Sequence, residues 1–234
     1  MIFKSIASSS HGNAYTVTDG KSHILLECGL SHKKILQGVG RSLSDFSACL
    51  VSHEHKDHAK SVPQLLERGM DVYMSEGTAA ALDVEDVHII SHMEQFSIGT
   101  FDIMPFSVFH DAAEPLGFLI RSREDGESLA FATDTVNLRY RFPGINILAI
   151  EANYDKNILD LCEKLPDKVR HRITNAHMEI VTLCNYLKSL DLSSCREIYL
   201  LHLSDATSHE EEFIKKVRSV IPPGVIVRAC RKEG

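Results

Sequence analysis

Six consecutive residues, His53-Glu54-His55-Lys56-Asp57-His58, put five groups able to bind metal or move protons directly after the apolar run Ala48-Cys49-Leu50-Val51. An apolar run that breaks into a histidine-rich stretch reads as a buried strand ending in a loop that holds metal. In an extended chain residues i and i+2 project to one side, so His53 and His55 present two imidazoles to one cation, while Asp57 and His58 turn toward a second. A single histidine here would read as a satisfied core or surface residue. The cluster at a strand end reads as a metal site.

A closed shell needs about four ligands, so the motif requires partners downstream. Three residues qualify, each closing an apolar run: His110 after Phe101 to Phe109, Asp134 after Ser128 to Thr133, and His202 after Glu197 to Leu201. Taken alone, each is an ordinary strand-terminal residue. Together, four strand ends carrying the right ligand types point to one metal-dependent chemistry.

The order His-x-His-x-Asp-His, then a lone His, a lone Asp and a final His, resembles the metallo-β-lactamase superfamily across nearly the whole chain. Ser8-Ser9-Ser10-His11-Gly12-Asn13, Glu27-Cys28-Gly29-Leu30-Ser31, His110-Asp111-Ala112-Ala113-Glu114-Pro115, Thr133-Asp134-Thr135 and Glu151-Ala152-Asn153 are similar to its WalJ/YycJ-type branch of bacterial and phage metallo-hydrolases, which is associated with DNA exonuclease activity. The resemblance implies an α/β (α+β) chain folded as an αββα four-layer sandwich. It implies that His53, His55 and His110 hold one metal, that Asp57, His58 and His202 hold the other, and that Asp134 bridges them. Two residues depart from the family pattern: Glu27 stands where Asp is usual, and Tyr154 where His is common. Glu27 is expected to orient the ligand loop from behind the metal ligands.

Pattern alone stops at mixed α and β. It predicts strands near 1–7, 14–18 and 23–27, a helix near 32–39, a helix carrying Val62, Leu65 and Leu66 and ended by Gly69, and a strand at Asp71 to Met74. Short strands follow between 88 and 133, the last two joined at Glu124-Asp125-Gly126-Glu127, whose Asp-Gly signals a hairpin. Helical periodicity returns at Asn157 to Leu165, Met178 to Leu190 and His209 to Val220, before a last strand at Val225 to Ala229. The 234 residues, 44% of them hydrophobic, suffice for one core, and no linker or repeat divides them, so residues 1–234 read as a single hydrolase domain.

The six cysteines, at 28, 49, 162, 184, 195 and 230, form no Cys-x-x-Cys pair and read as buried reduced thiols. With no signal peptide and no run long enough to span a bilayer, a cytoplasmic, membrane-free protein is expected. Histidine and aspartate ligation without thiolate accepts Zn, Mn, Fe or Co; two divalent ions, Zn or Mn, are the cofactors expected.

The catalytic candidates are Asp57, within the ligand motif, and His177, which precedes a predicted helix and matches a histidine of the related branch, and which reads as a proton donor or as a helix N-terminal surface histidine. Ser10 and Asn13 in a polar turn, and Asn153 at the end of Ile145 to Ile150, are substrate-binding candidates. Net charge of −7 weighs against duplex binding, although Lys164, Lys168, Arg170, His171 and Arg172, and separately Arg121, Arg123, Arg139 and Arg141, offer basic stretches. Three functions stay open: a DNA exonuclease using a metal-activated hydroxide, a phosphodiesterase for a small substrate such as a cyclic nucleotide, and a non-catalytic metal-stabilised binding module. Oligomeric state stays open as well, a homodimer included.

Overall fold

The computed structural model describes residues 1–40, 42–163 and 165–230. They fall into two compact units, one made of Met1–Ser107 and Ala112–Glu127, the other of Val108–Asp111 and Ser128–Cys230. Among the described residues, thirteen strands belong to two sheets, the first six to one and the remaining seven to the other.

In the first unit β1 (Ile2–Ser9) and β2 (Gly12–Thr18) form a hairpin, and β2 pairs antiparallel with β3 (His23–Leu26). From there β3, β4 (Ala48–Leu50), β5 (Val72–Met74) and β6 (His88–Ile89) run parallel. Parallel neighbours need crossovers, and helices supply them. Helix α1 (His32–Val39) spans the predicted 32–39; Ser31 caps its start and Gly40, at φ 63°, ends it in the left-handed conformation that glycine adopts freely. The motif runs into a short helix, α2 (Lys56–Ala59), followed by α3 (Val62–Leu66). Ile35, Val62 and Leu65 bury against Leu25, Cys49, Val51 and Val72. Each such aliphatic side chain contributes about 1.5–3 kcal/mol by leaving water. Helix α4 (Glu76–Leu82), capped by Ser75, was not legible in sequence, because Thr78-Ala79-Ala80-Ala81 carries too little apolar bulk to mark a face. A meander of β7 (Phe96–Ile98), β8 (Phe101–Ser107) and β9 (Leu116–Ser122) completes this unit. Beyond it the Asp-Gly turn forms as expected, with Gly126 at φ 74° and the Ser122 amide bonded to the Glu127 carbonyl.

In the second unit β10 (Ser128–Ala132), β11 (Ile147–Glu151), β12 (Glu197–Leu201) and β13 (Ile226–Ala229) run parallel throughout. All five residues of β11 are buried, the continuous pattern of a strand covered on both faces. Helices α5 (Lys156–Leu161), α6 (Asp167–Ala176), α7 (Ile180–Lys188) and α8 (Glu210–Arg218) accompany them. Glutamates 210–212 open α8 and Lys215, Lys216 and Arg218 close it, matching the helix dipole at both ends.

Helix α6 corrects the sequence reading, which treated its residues as a basic stretch. Its polar sequence buries only Ala176, so no apolar stripe announced it. Arg170 is not available as a phosphate contact either: its guanidinium donates to the carbonyls of Leu159, Cys162 and Leu165. Lys164 lies outside the described residues. In the other proposed stretch, Arg123 bonds Ser97, Asp102 and the Gly99 carbonyl. Arg139 stacks 4.3 Å above Phe109, and Arg141 lies 6.0 Å from the Tyr186 ring. Five of the six cysteines are buried free thiols, as expected, but Cys162 is only half-buried. Among the described residues no helix is long and apolar enough to cross a membrane.

Candidate metal centre

The first unit positions the histidine motif by tying strand ends together. Just past β3 the chain turns at Glu27, whose φ of 62° is unusual for a residue other than glycine. This turn buries the Glu27 carboxylate completely, within 3.3–3.4 Å of the Ser52 amide it accepts from and 3.5 Å from His58 Nδ1. The Cys28 amide donates to the His58 carbonyl at 2.7 Å. Gly29 has no alternative at its position, since a Cβ there would stand 1.6 Å from the Asp57 carbonyl oxygen.

Within the motif the chain turns helical from Lys56, so adjacent residues Asp57 and His58 leave the backbone on a helical turn and not along a loop. The His53 ring centroid lies 4.7 Å from that of His55 and 4.2 Å from that of His58. Ser52 Oγ meets His53 Nδ1 at 2.8 Å, and Asp57 Oδ2 lies 3.3 Å from His58 Nε2.

In the second unit four donors converge. Ligand atoms of Asp134, Glu151, His177 and His202 all lie within 4.8 Å of one another. Asp134 and His202 each follow the end of a strand at positive φ, 45° and 53°. Such backbone costs on the order of 1 kcal/mol and gathers at functional sites. The Thr133 hydroxyl fixes Asp134 Oδ1 at 2.8 Å, and the same oxygen lies 3.3 Å from His202 Nδ1. His110 Nδ1 lies 2.9 Å from the carbonyl oxygen of Ala176, the last residue of α6. A carbonyl only accepts, so Nδ1 carries the proton and Nε2, 3.6 Å from Asp134 Oδ2, keeps its lone pair for a metal.

Glu151 ends the wholly buried β11 and is itself fully buried. Its Oε2 accepts from the amides of Thr135 and Met178 at 2.7 and 3.1 Å, and its Oε1 lies 2.7 Å from His177 Nδ1. Burial pushes the Glu151 carboxyl up, but the charge and hydrogen bond of His177 outweigh it and hold the group below its ordinary value. Burial would likewise lower His177, and the carboxylates of Glu151 and Asp134 reverse that and raise it. The imidazole and the carboxylate thus each favour the charged form of the other.

A family profile described as "Beta-lactamase superfamily domain" matches residues 22–202. The chain belongs to the metallo-β-lactamase superfamily. It is 36% identical over 171 residues to "Exodeoxyribonuclease WalJ" of Streptococcus pneumoniae serotype 2, covering 66% of this chain and 63% of that protein. It is 28% identical over 222 residues to "Exodeoxyribonuclease YycJ" of Bacillus anthracis, covering 86% and 82%. The chain thus spans less than two thirds of the length of the first of these relatives. Among solved structures, the metallo-β-lactamase fold protein YhfI from Bacillus subtilis superposes with a TM-score of 0.76 at 15% identity, over 99% of this chain and 97% of that one. The αββα sandwich expected from sequence is therefore the fold of this superfamily member.

For the superfamily, the donor chemistry fits divalent cations: imidazole nitrogens and carboxylate oxygens, several of them buried, with a carboxylate at Asp134 offering two oxygens. Two residues stand differently from expectation. Asn13 is fully buried, and its amide nitrogen lies 3.1 Å from both His58 Nε2 and the Asp57 carbonyl, so it braces the ligand loop and has no face toward a substrate. Asn153 donates to the His202 carbonyl at 2.8 Å and likewise braces that candidate ligand. His177 follows the last residue of α6 and precedes α7, as expected, and its side chain is largely buried, not a surface group. Ser10 is exposed at the turn between β1 and β2. Sequence reasoning quoted Glu151 without giving it a role. The signal was available, since a carboxylate closing an otherwise aliphatic, buried strand needs a buried partner.

Proposed function

We propose that this chain is a dinuclear metal-dependent phosphodiesterase and that its substrate is DNA, shortened from an end as an exonuclease does. The observation that carries the reading is the His177–Glu151 pair at 2.7 Å beside Asp134 and His202, a proton donor held next to a set of metal ligands. The relatives named exodeoxyribonuclease support the choice of DNA. They lend nothing to a cyclic-nucleotide phosphodiesterase or to a non-catalytic binding module.

In this reading His53, His55 and His110 would hold one ion and Asp57, His58 and His202 the other, Asp134 would be available to both, and the ions would be Zn or Mn. The family profile spans residues from both units, which supports residues 1–234 working as one hydrolase domain. Such ions lower the pKa of water to give hydroxide at neutral pH and offset the charge of a phosphodiester. The chain's own residues do the rest. Glu151, fixed by two backbone amides, takes the Nδ1 proton of His177 as a hydrogen bond and so aims Nε2–H outward. From Nε2 the proton passes to the leaving oxygen, which departs as a hydroxyl group. Asp57 holds metal and faces His58. Asn13, Glu27 and Asn153 keep the ligands in place. Exposed Lys168 and Arg172 on α6, nine and five positions before His177, supply positive charge for the phosphate backbone. The free cysteines fit a reducing cytoplasm.

The test is turnover of end-labelled duplex DNA and of a panel of cyclic nucleotides by protein reconstituted with Mn or Zn. Asp134→Asn serves as the blank, because asparagine tolerates the positive φ. Progressive shortening of the duplex, absent in the blank, is expected. Cleavage confined to cyclic nucleotides would overturn the substrate, and equal turnover by the blank would overturn the centre.

A further inference from the structure

Glu54 lies between two ligand histidines, and neither the ligand set nor the proton-transfer pair uses it. Its Oε1 accepts a hydrogen bond from the Ala113 amide at 2.9 Å. Its Oε2 is buried and meets no donor among the described residues. Ala113 is three residues past His110, in a segment that is stitched down repeatedly. The Leu116 amide donates to the Ser52 carbonyl at 3.0 Å. The Ser75 hydroxyl donates to the Glu114 carbonyl at 2.7 Å, and the Gly77 amide to Glu114 Oε2 at 2.8 Å. The backbones approach so closely that a Cβ on Gly77 would come within 2.6 Å of Glu114 Cβ. Residues 113–116 are thus clamped from two sides, by Ser52 and Glu54 of the ligand loop and by Ser75 and Gly77 at the start of α4.

We propose that Glu54 is a positioning residue for metal binding: through the Ala113 amide it anchors the chain that leaves His110, and so limits where that imidazole can stand. Two observations bear on it independently. The first is the direct bond from the ligand loop to the chain beyond His110. The second is that the fold keeps one carboxylate oxygen buried without a donor, a costly arrangement that a mere surface loop would relieve by turning the side chain into water. A tie of this kind lowers the freedom His110 must surrender on binding a metal. Its loss is therefore felt as affinity, of the size seen when groups behind metal ligands are removed, about tenfold to a hundredfold.

The inference rests on the metal centre proposed above, and the experiment separates the two. Metal affinity is measured by competition with a chromophoric chelator for the full chain and for Glu54→Gln, Glu54→Asp and Glu54→Ala, together with thermal unfolding of each metal-free protein. Glutamine keeps the reach and the accepting oxygen, and aspartate keeps the charge but falls one methylene short. The expected result is near-normal affinity for Gln, affinity about tenfold weaker or worse for Asp and Ala, and little change in metal-free melting. Aspartate with full affinity and glutamine without it would mean that charge, not the tie, matters, and would overturn the proposal. So would equal affinity in all four proteins. Should alanine fail to fold, the Gln and Asp pair alone decides. Unmodified protein that binds no metal would instead sink the centre itself.

Discussion

His177 Nδ1 lies 2.7 Å from Glu151 Oε1, and the other oxygen of that carboxylate is held by the amides of Thr135 and Met178. The imidazole thus leans on an acceptor that cannot swing away, which fixes its tautomer and raises its proton affinity at the same time.

Removal of the donor is expected to slow the chemical step and to spare binding. His177→Ala should lower kcat by roughly a hundredfold to ten-thousandfold with little change in KM. Steady-state kinetics on end-labelled DNA checks this, and an unchanged kcat would remove His177 from the reaction.

The pH profile carries the sign of the interaction. A proton donor works only while protonated, so kcat falls as pH rises through the His177 pKa. Glu151→Gln removes the charge that raises that pKa and should move the alkaline limb of the profile to lower pH. A limb that stays in place in the variant would separate Glu151 from proton transfer.

Gly29→Ala should cost about 3 kcal/mol, because its Cβ would overlap the Asp57 carbonyl and backbone must shift on both sides. Urea unfolding of the metal-free protein gives the number. Weakened metal binding should accompany the loss, since Asp57 moves with that backbone.

Asp19 predicts acid behaviour in the first unit. Burial pushes its carboxyl up, yet hydrogen bonds from the amides of Ser22 and Lys21 and the hydroxyls of Thr100 and Ser122 bring it to about 2, against an ordinary 3.8. A depressed carboxyl stabilises the fold above the unfolded pKa and loses that contribution as pH falls through the folded one. Stability should therefore drop between pH 4 and 2, and Asp19→Asn should flatten that part of the curve. Parallel curves for the two proteins in urea titrations would contradict the assignment.

Arg170 and Lys168 lie two residues apart on α6 and should behave oppositely. Arg170→Ala leaves three carbonyls without their donor and is expected to destabilise by roughly 1.5–3 kcal/mol, with little recovery by lysine, whose single ammonium cannot span them. Lys168→Ala should lie within about 0.5 kcal/mol of the parent. Thermal melts distinguish the two.

The positions proposed as metal ligands stood out because each follows an apolar run, and burial of a strand is written in its composition. His53, Asp134 and His202 all stand just past such runs. His110 is less regular, since β8 stops at Ser107 and two further residues carry the chain to it. What sequence could not supply was pairing. Arg170 reads as free charge until its three carbonyl partners are seen, and Asn13 reads as a substrate group until it is found beneath His58. Helices α4 and α6 escaped notice for a related reason, as small or polar residues leave no stripe to count. Glu151 shows the same limit in its sharpest form: its identity was plain, but its role depends on the fold bringing His177 from 26 residues away.

Glu27, Asp134 and His202 share a left-handed backbone at positions where glycine or asparagine would sit at ease. A chain shaped by folding stability alone would drift toward those smaller residues at all three sites. That it carries two acids and an imidazole there sets durability and chemistry against each other at the same three peptide units. Random libraries screened only for heat resistance should accordingly enrich changes at 27, 134 and 202, and what they recover should be sturdier scaffolds without the activity proposed above.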